Sequence, residues 1–223
     1  DKSVHLDICV PRASYVANAF TNYLSMINFH DKNIKVNYRE TNSFDTIKDV
    51  YEGEANIGII RFPIDEESYF LHLLETKELN FEKLYQFNYQ LLFSNENPLS
   101  FKEIIYLSDL ETQIEITHGD TALPSLPIVA TNRNDETRHS KKEISVYERA
   151  SQFELLNHLP HTFMWVSPIP QEVLRRFNLV TKECQENKMS YQDLLITRKG
   201  YRLSKEDEGF IRAIKCSIKE INI

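Results

Sequence analysis

The chain has 223 residues, with 26 Lys plus Arg against 33 Asp plus Glu and a formal charge of -7. That length builds one sizeable core or two smaller lobes without disulfide staples, and the acidic balance, with no dense Lys/Arg run, gives no electrostatic footprint for tight nucleic-acid binding by this segment alone. Cys9, Cys184 and Cys216 lack the close spacing of metal and redox motifs, and three free thiols fit a reducing compartment. No run approaches the roughly 18 apolar residues of a membrane-spanning helix. Asp1 to His5 lacks the basic and apolar regions of a signal peptide, and with no initiator Met the chain reads as an excised or processed segment.

The opening reads strand, helix, strand, helix, strand. Val4, Leu6 and Ile8 alternate with His5 and Asp7, then Val16, Phe20, Tyr23, Leu24 and Ile27 make one helical stripe after Ser14. Ile34, Val36 and Tyr38 alternate with Lys35, Asn37 and Arg39 as in a half-buried strand. Asn42 and Asp45 cap the next helix, which carries Phe44, Ile47, Val50 and Tyr51 and stops at Gly53. Ala55 to Ile60 is an apolar run suited to a buried parallel strand.

The middle predicts a long strand over Tyr85 to Phe93, ended by Asn95, Asn97 and Pro98, and short strands at Gln113 to Thr117 and Ile144 to Glu148. Thr121 to Lys142 has little periodicity and reads as an irregular, mobile loop. Ser151 and Glu154 form a capping-box pattern ahead of Phe153, Leu156 and Leu159. A strand at Phe163 to Val166 and a short helix at Glu172 to Phe177 follow. The end predicts a strand over Tyr191 to Thr197, a turn at Arg198 to Tyr201, and a helix capped by Ser204 and Asp207 with Ile211, Ile214, Ile218 and Ile221 inward. With five glycines, most tight turns rely on Asn, Asp and Pro.

In this order the motifs resemble the effector-binding domain of a LysR-type transcriptional regulator. The stretches that carry the resemblance are VHLDICVPRASYVANAFTNYL, NIKVNYRETNSFDTIKDVYEGEANIGII, YQLLFSNENPLS, FMWVSP and DLLITRKGYRLSKEDEGFIRAI, which together span nearly the whole chain. In YQLLFSNENPLS, Asn97-Pro98-Leu99 stands where the family has His-Pro-Leu. The resemblance implies an α/β fold of two Rossmann-like lobes joined by a hinge of two crossings, similar to type 2 periplasmic binding proteins. Lobe I would be 1–87 with 190–223, and lobe II 88–189. The sequence departs from the family where His161 and Phe163 replace a Gly-x-Gly turn, next to Pro160.

The implied function is that of the ligand-sensing domain of a bacterial regulator. A small organic anion would bind between the lobes, and an absent N-terminal winged helix-turn-helix would contact DNA. The implied setting is a cytoplasmic homodimer without cofactor, metal or membrane, with Tyr23, Met26, Ile34, Val36 and Tyr38 as mixed core and interface candidates.

Open α/β lobes expose binding crevices at the C-terminal ends of parallel strands, where helix N-termini present N–H groups. Ligand candidates there are Arg12, Ser14, Asn42, Ser43, Arg61 and Phe62 in lobe I, and His118, Thr121, Ser151 and Phe163 in lobe II. Local alternatives stay open. Arg12 also reads as a solvent-facing side chain, Ser14, Asn42, Ser43 and Ser151 as helix caps, His118 as a turn residue beside Gly119, and Phe163 as core. No catalytic arrangement is implied: there is no Walker loop, dinucleotide glycine motif or HExxH helix. An extracytoplasmic solute-binding protein is the main alternative, since it uses the same fold. A bilobal enzyme is the third.

Overall fold

The computed structural model describes residues 3–30, 32–118 and 142–222. The chain divides into two compact units, Asp1–Phe87 with Met189–Ile223, and Asn88–Lys188.

In the first unit, alternation along β1 (Ser3–Val10) sends Val4, Leu6, Ile8 and Val10 into the core. Helix α1 (Ser14–Ser25) buries Tyr15, Val16, Asn18 and Ala19. Strand β2 (Asn33–Glu40) pairs parallel to β1 along its whole length, from Ser3 with Asn33 to Val10 with Glu40. Helix α2 (Ser43–Glu52) starts at Asn42, whose Oδ1 accepts the Asp45 N–H at 2.9 Å. It stops at Gly53, whose φ of 87° is left-handed and favours a residue without Cβ. The Arg198 guanidinium reinforces that end by donating to the Val50 carbonyl at 3.0 Å and the Ala55 carbonyl at 2.9 Å.

Strand β3 (Ile57–Pro63) runs parallel to β1, and its Gly58 lies under α2. Helix α3 (Glu67–Thr76) and strand β4 (Leu79–Asn88) follow; the sequence reading has no counterpart for α3 or for β4 before Tyr85. Strand β10 (Ser190–Arg198) returns antiparallel to β3, giving the order β2-β1-β3-β10-β4. The last helix, α6 (Lys205–Ile221), opens with the full capping box of Ser204 and Asp207 and packs on α1. That packing uses Gly209: a Cβ there would stand 2.4 Å from the Tyr23 ring.

The strand expected over Tyr85 to Phe93 is two strands. Strand β4 ends at Asn88 in the first sheet, and β5 (Gln90–Ser94) begins in the second, with Tyr89 between them. Strand propensity is continuous through the crossing, so composition does not mark it.

The second unit has the sheet order β7-β6-β8-β5-β9. Its strands are β5, β6 (Ile114–His118), β7 (Lys142–Val146), β8 (Thr162–Val166) and β9 (Leu179–Lys182), with helices α4 (Ala150–His158) and α5 (Gln171–Arg176). Strand β6 is parallel to β7 and β8, whereas β5 is antiparallel to β8 and β9. Strand β5 is buried on both faces: Leu92 joins a core with Ile116, Leu156 and Met164, while Leu91 and Phe93 join another with Leu99, Ile105 and Leu110. Asn97, 0% exposed, organises the loop after β5. Its Oδ1 accepts the Leu99 N–H at 2.9 Å, and its Nδ2 donates to Gln113 Oε1 at 3.0 Å and the Thr162 carbonyl at 3.2 Å. Most of the loop expected between Thr121 and Lys142 lies outside the described residues, and Lys142 itself opens β7.

Candidate functional site

In each unit several of the candidate residues lie where parallel strands end and helices begin. In the first, β1 delivers Pro11 to Ala13 to the start of α1. Ala13 is the N-cap, in extended backbone with no side-chain cap, and its carbonyl accepts the Val16 and Ala17 N–H groups at 3.2 and 3.0 Å. The first turn carries no acidic side chain, so nothing on it offsets the positive end of the helix dipole. Ser14 is the first helical residue rather than the cap, and both it and Arg12 are part-buried with neighbours of their own.

The start of α2 is more fully occupied. Asn42 caps Asp45 N–H and also donates from Nδ2 to Asp45 Oδ2 at 2.9 Å; Thr41 Oγ1 donates to the same oxygen at 3.2 Å. The Ser43 hydroxyl donates to the Arg61 carbonyl at 2.7 Å and accepts the Arg61 N–H at 2.9 Å, which latches α2 to the end of β3. A ligand would have to displace these bonds to use either side chain.

Two expectations on β3 are corrected. The Arg61 guanidinium is committed internally: Nε and Nη2 donate to Asp193 Oδ1 and Oδ2, both at 2.7 Å, and it lies 4.6 Å from the Phe87 ring centroid. Phe62 is 1% exposed and stacks on Phe70 at 4.7 Å, inside the core with Ile60, Leu74 and Leu194. Strand alternation sends neighbours to opposite faces, so Arg61 and Phe62 could not have shared one ligand-facing wall.

Asp193 stands opposite Arg61 in the β3–β10 register and also accepts the Tyr15 hydroxyl. Burial, then the Asp193 charge, pushes the Tyr15 hydroxyl well above the ordinary tyrosine range, so it stays a donor. Sequence reasoning missed both residues. The signal was present: an acid inside the apolar run YQDLLI must find a partner, because an unpaired buried carboxylate is too costly.

In the second unit, His118 ends β6 and its Nδ1 accepts from Gln152 Nε2 at 2.6 Å, an arrangement that calls for the neutral Nε2–H tautomer. Thr121 lies outside the described residues. The capping box expected from Ser151 and Glu154 is corrected: α4 begins at Ala150, and Ser151 is its second residue. Glu148 does the capping instead. Its carboxylate accepts the Ala150 N–H at 2.5 Å, the Ser151 N–H at 3.1 Å and the Ser151 hydroxyl. An internal anion therefore sits where an external one would be expected. Of the two readings open for Phe163, the structure takes the core one rather than the ligand-facing one: it is 0% exposed and packs with Leu91, Phe93 and Leu110.

Of the interface candidates, Met26 is 73% and Ile34 52% exposed, whereas Tyr23, Val36 and Tyr38 are half-buried. The Tyr38 ring lies 4.4 Å from that of Phe20. Among the described residues no group of three or more His, Cys, Asp or Glu side chains is arranged to hold a metal ion, and no helix is long and apolar enough to cross a membrane.

No protein-family sequence profile matches the chain, and no curated protein matches its sequence. Solved structures do. The effector binding domain of QuiR in complex with shikimate has a TM-score of 0.58 at 16% identity, covering 98% of this chain and 99% of that one. The regulatory domain of MetR, a LysR family regulator from N. meningitidis, has a TM-score of 0.60 at 12% identity, covering 97% and 94%. The sulfate-bound regulatory domain of a single-residue variant of OxyR2 from Vibrio vulnificus has a TM-score of 0.58 at 13% identity, covering 98% and 97%.

At these identities the likeness defines the fold. It is the two-lobed, periplasmic-binding-protein-like α/β fold of LysR-type effector-binding domains, over essentially the full length of both partners.

Proposed function

We propose that the chain is the effector-sensing domain of a bacterial LysR-type transcriptional regulator, a cytoplasmic homodimer whose DNA contacts lie in an N-terminal winged helix-turn-helix outside this segment. The observation that carries the reading is the end-to-end fold likeness to domains of that kind. A regulator needs its effector to bind two arrangements with different free energies, and a lobed domain with strand-end loops offers such a difference.

The effector carries a single anionic group, received at Arg12, Ser14 and the first turn of α1. Three local features support this. The α1 start has no acidic side chain, the α2 start holds Asp45, and the α4 start is filled by Glu148. Arg61 adds no net charge, being paired with Asp193. Asn42 and Ser43, at the end of β2 in the same unit, contribute backbone or hydrogen-bonding surface. QuiR in complex with shikimate and OxyR2 with bound sulfate agree with an anion. In the dimer, exposed Met26 and Ile34 and half-buried Tyr23, Val36 and Tyr38 form the contact.

The test is a melting-shift screen across small organic acids, amines and neutral metabolites, with Arg12→Ala and Ser14→Ala as paired variants. A response to an organic acid that both variants weaken is expected; a response to cations alone would overturn the anion assignment. The coding sequence upstream decides the wider reading: a helix-turn-helix is expected there, and a secretion signal would make the chain a solute receptor instead.

A further inference from the structure

We propose that Asp193 is a positioning residue that ties the first turn of α1 and the end of β3 to both segments by which the chain passes between its two units. The proposal rests on the reading above that the α1 start receives the effector.

Asp193 is 0% exposed and serves three donors, Arg61 Nε, Arg61 Nη2 and the Tyr15 hydroxyl, the last 178 residues away in sequence. Tyr15 directly follows Ser14, so its anchored hydroxyl fixes where the first turn of α1 lies. Arg61 reaches the outgoing crossing by lying on Phe87, the last residue of the first unit before Asn88. Phe87 in turn stacks on Tyr191, at 6.2 Å and 16°, two residues beyond the return at Met189 and two before Asp193. Tyr85 completes the cluster, edge-on to Tyr15 at 5.5 Å and 5.4 Å from Phe87, with Gln192 Nε2 donating to its carbonyl at 3.0 Å.

Helix α1 and strands β3, β4 and β10 therefore share one buried group of charges and rings. A buried carboxylate and guanidinium hold a narrow geometry, because separating either from its partner leaves an uncompensated charge in low dielectric. The cluster moves as a block: a shift of the α1 start is passed to the crossing segments, and linkage requires the reverse coupling to be equal.

Hydrogen exchange on the full chain tests this without any ligand. Tyr15→Phe deletes one hydroxyl and is expected to speed exchange by about threefold or more at residues 86–88 and 190–192 as well as at the α1 start. Phe87→Leu, applied at the other end, is expected to speed exchange at residues 14–18. Asp193→Asn keeps an acceptor for Tyr15 but removes the charge facing Arg61, and should loosen both regions together. Confinement of the Tyr15→Phe effect to residues 13–19, or of the Phe87→Leu effect to β4 and β10, overturns the coupling. A metabolite screen without hits would overturn the sensor assignment and leave the exchange result intact, so the two failures are distinguishable.

Discussion

Replacing Gly58 by alanine adds one carbon at the tightest helix–strand approach in the first unit. An ideal Cβ there would stand 2.7 Å from Thr46 Cγ2, 2.8 Å from Val50 Cγ2 and 2.8 Å from Ile196 Cγ1. All three neighbours are 0% exposed and β-branched, so none has an open rotamer to move into. Overpacking a core costs roughly 1–3 kcal/mol, and three simultaneous clashes put this site at about 3. The stiffer unfolded chain returns about 0.5–1 kcal/mol, leaving a net loss of roughly 2 kcal/mol. At about 1.4 kcal/mol per decade this is about a thirtyfold loss of protection. Hydrogen exchange at Leu194, Leu195 and Ile196, on the neighbouring strand, reads that loss directly. Adding Thr46→Ser, which removes the nearest methyl, should restore part of it. Unchanged or increased protection in Gly58→Ala would show that α2 can lift from β3, and that its start is not held by close packing as well as by the Ser43–Arg61 latch.

Asn97→Ala should cost about 2–3 kcal/mol in urea unfolding, because it removes the acceptor of the Leu99 N–H and the donor to Gln113 Oε1 and the Thr162 carbonyl in a buried loop. Glu148→Ala should cost about 1 kcal/mol and speed exchange at Ala150 and Ser151, as expected for loss of a helix-start acceptor; unchanged rates there would reject the capping role. Burial, then a hydrogen bond to Asp49, pushes the Cys9 thiol from 9.0 up to about 12. Between those values the native state keeps a proton that the unfolded chain has released, so stability falls as pH rises through the window, and Cys9→Ala should remove one proton's share of that slope. At pH 8, exposed Cys216 should alkylate well before buried Cys9 and Cys184.

The elements legible in the sequence are those whose causes are local. The Asn42–Asp45 cap, the left-handed Gly53 stop and the Ser204–Asp207 capping box are set within a few residues, and the structure has each where the pattern puts it. The alternation of Val4, Leu6 and Ile8 and the stripe of Ile211, Ile214 and Ile218 likewise name the buried face without further information. The order of such segments was enough to suggest the two-lobed fold. Local pattern misled where two local solutions compete: Ser151 looks like a cap, but Glu148 reaches the same N–H groups from outside the helix.

What the chain's own order of residues determined, then, is most of the helices and strands, the caps of α2 and of the last helix, and the apolar faces these elements must hide. Tertiary structure alone decided which polar groups are left to meet a ligand. Arg61 reads as a recognition residue until a carboxylate 132 positions away takes its guanidinium, and Phe62 reads as a cleft wall until packing closes over it. The reason is physical: capping and periodicity act over one or two turns, whereas charge pairing and burial depend on which segments the fold brings side by side.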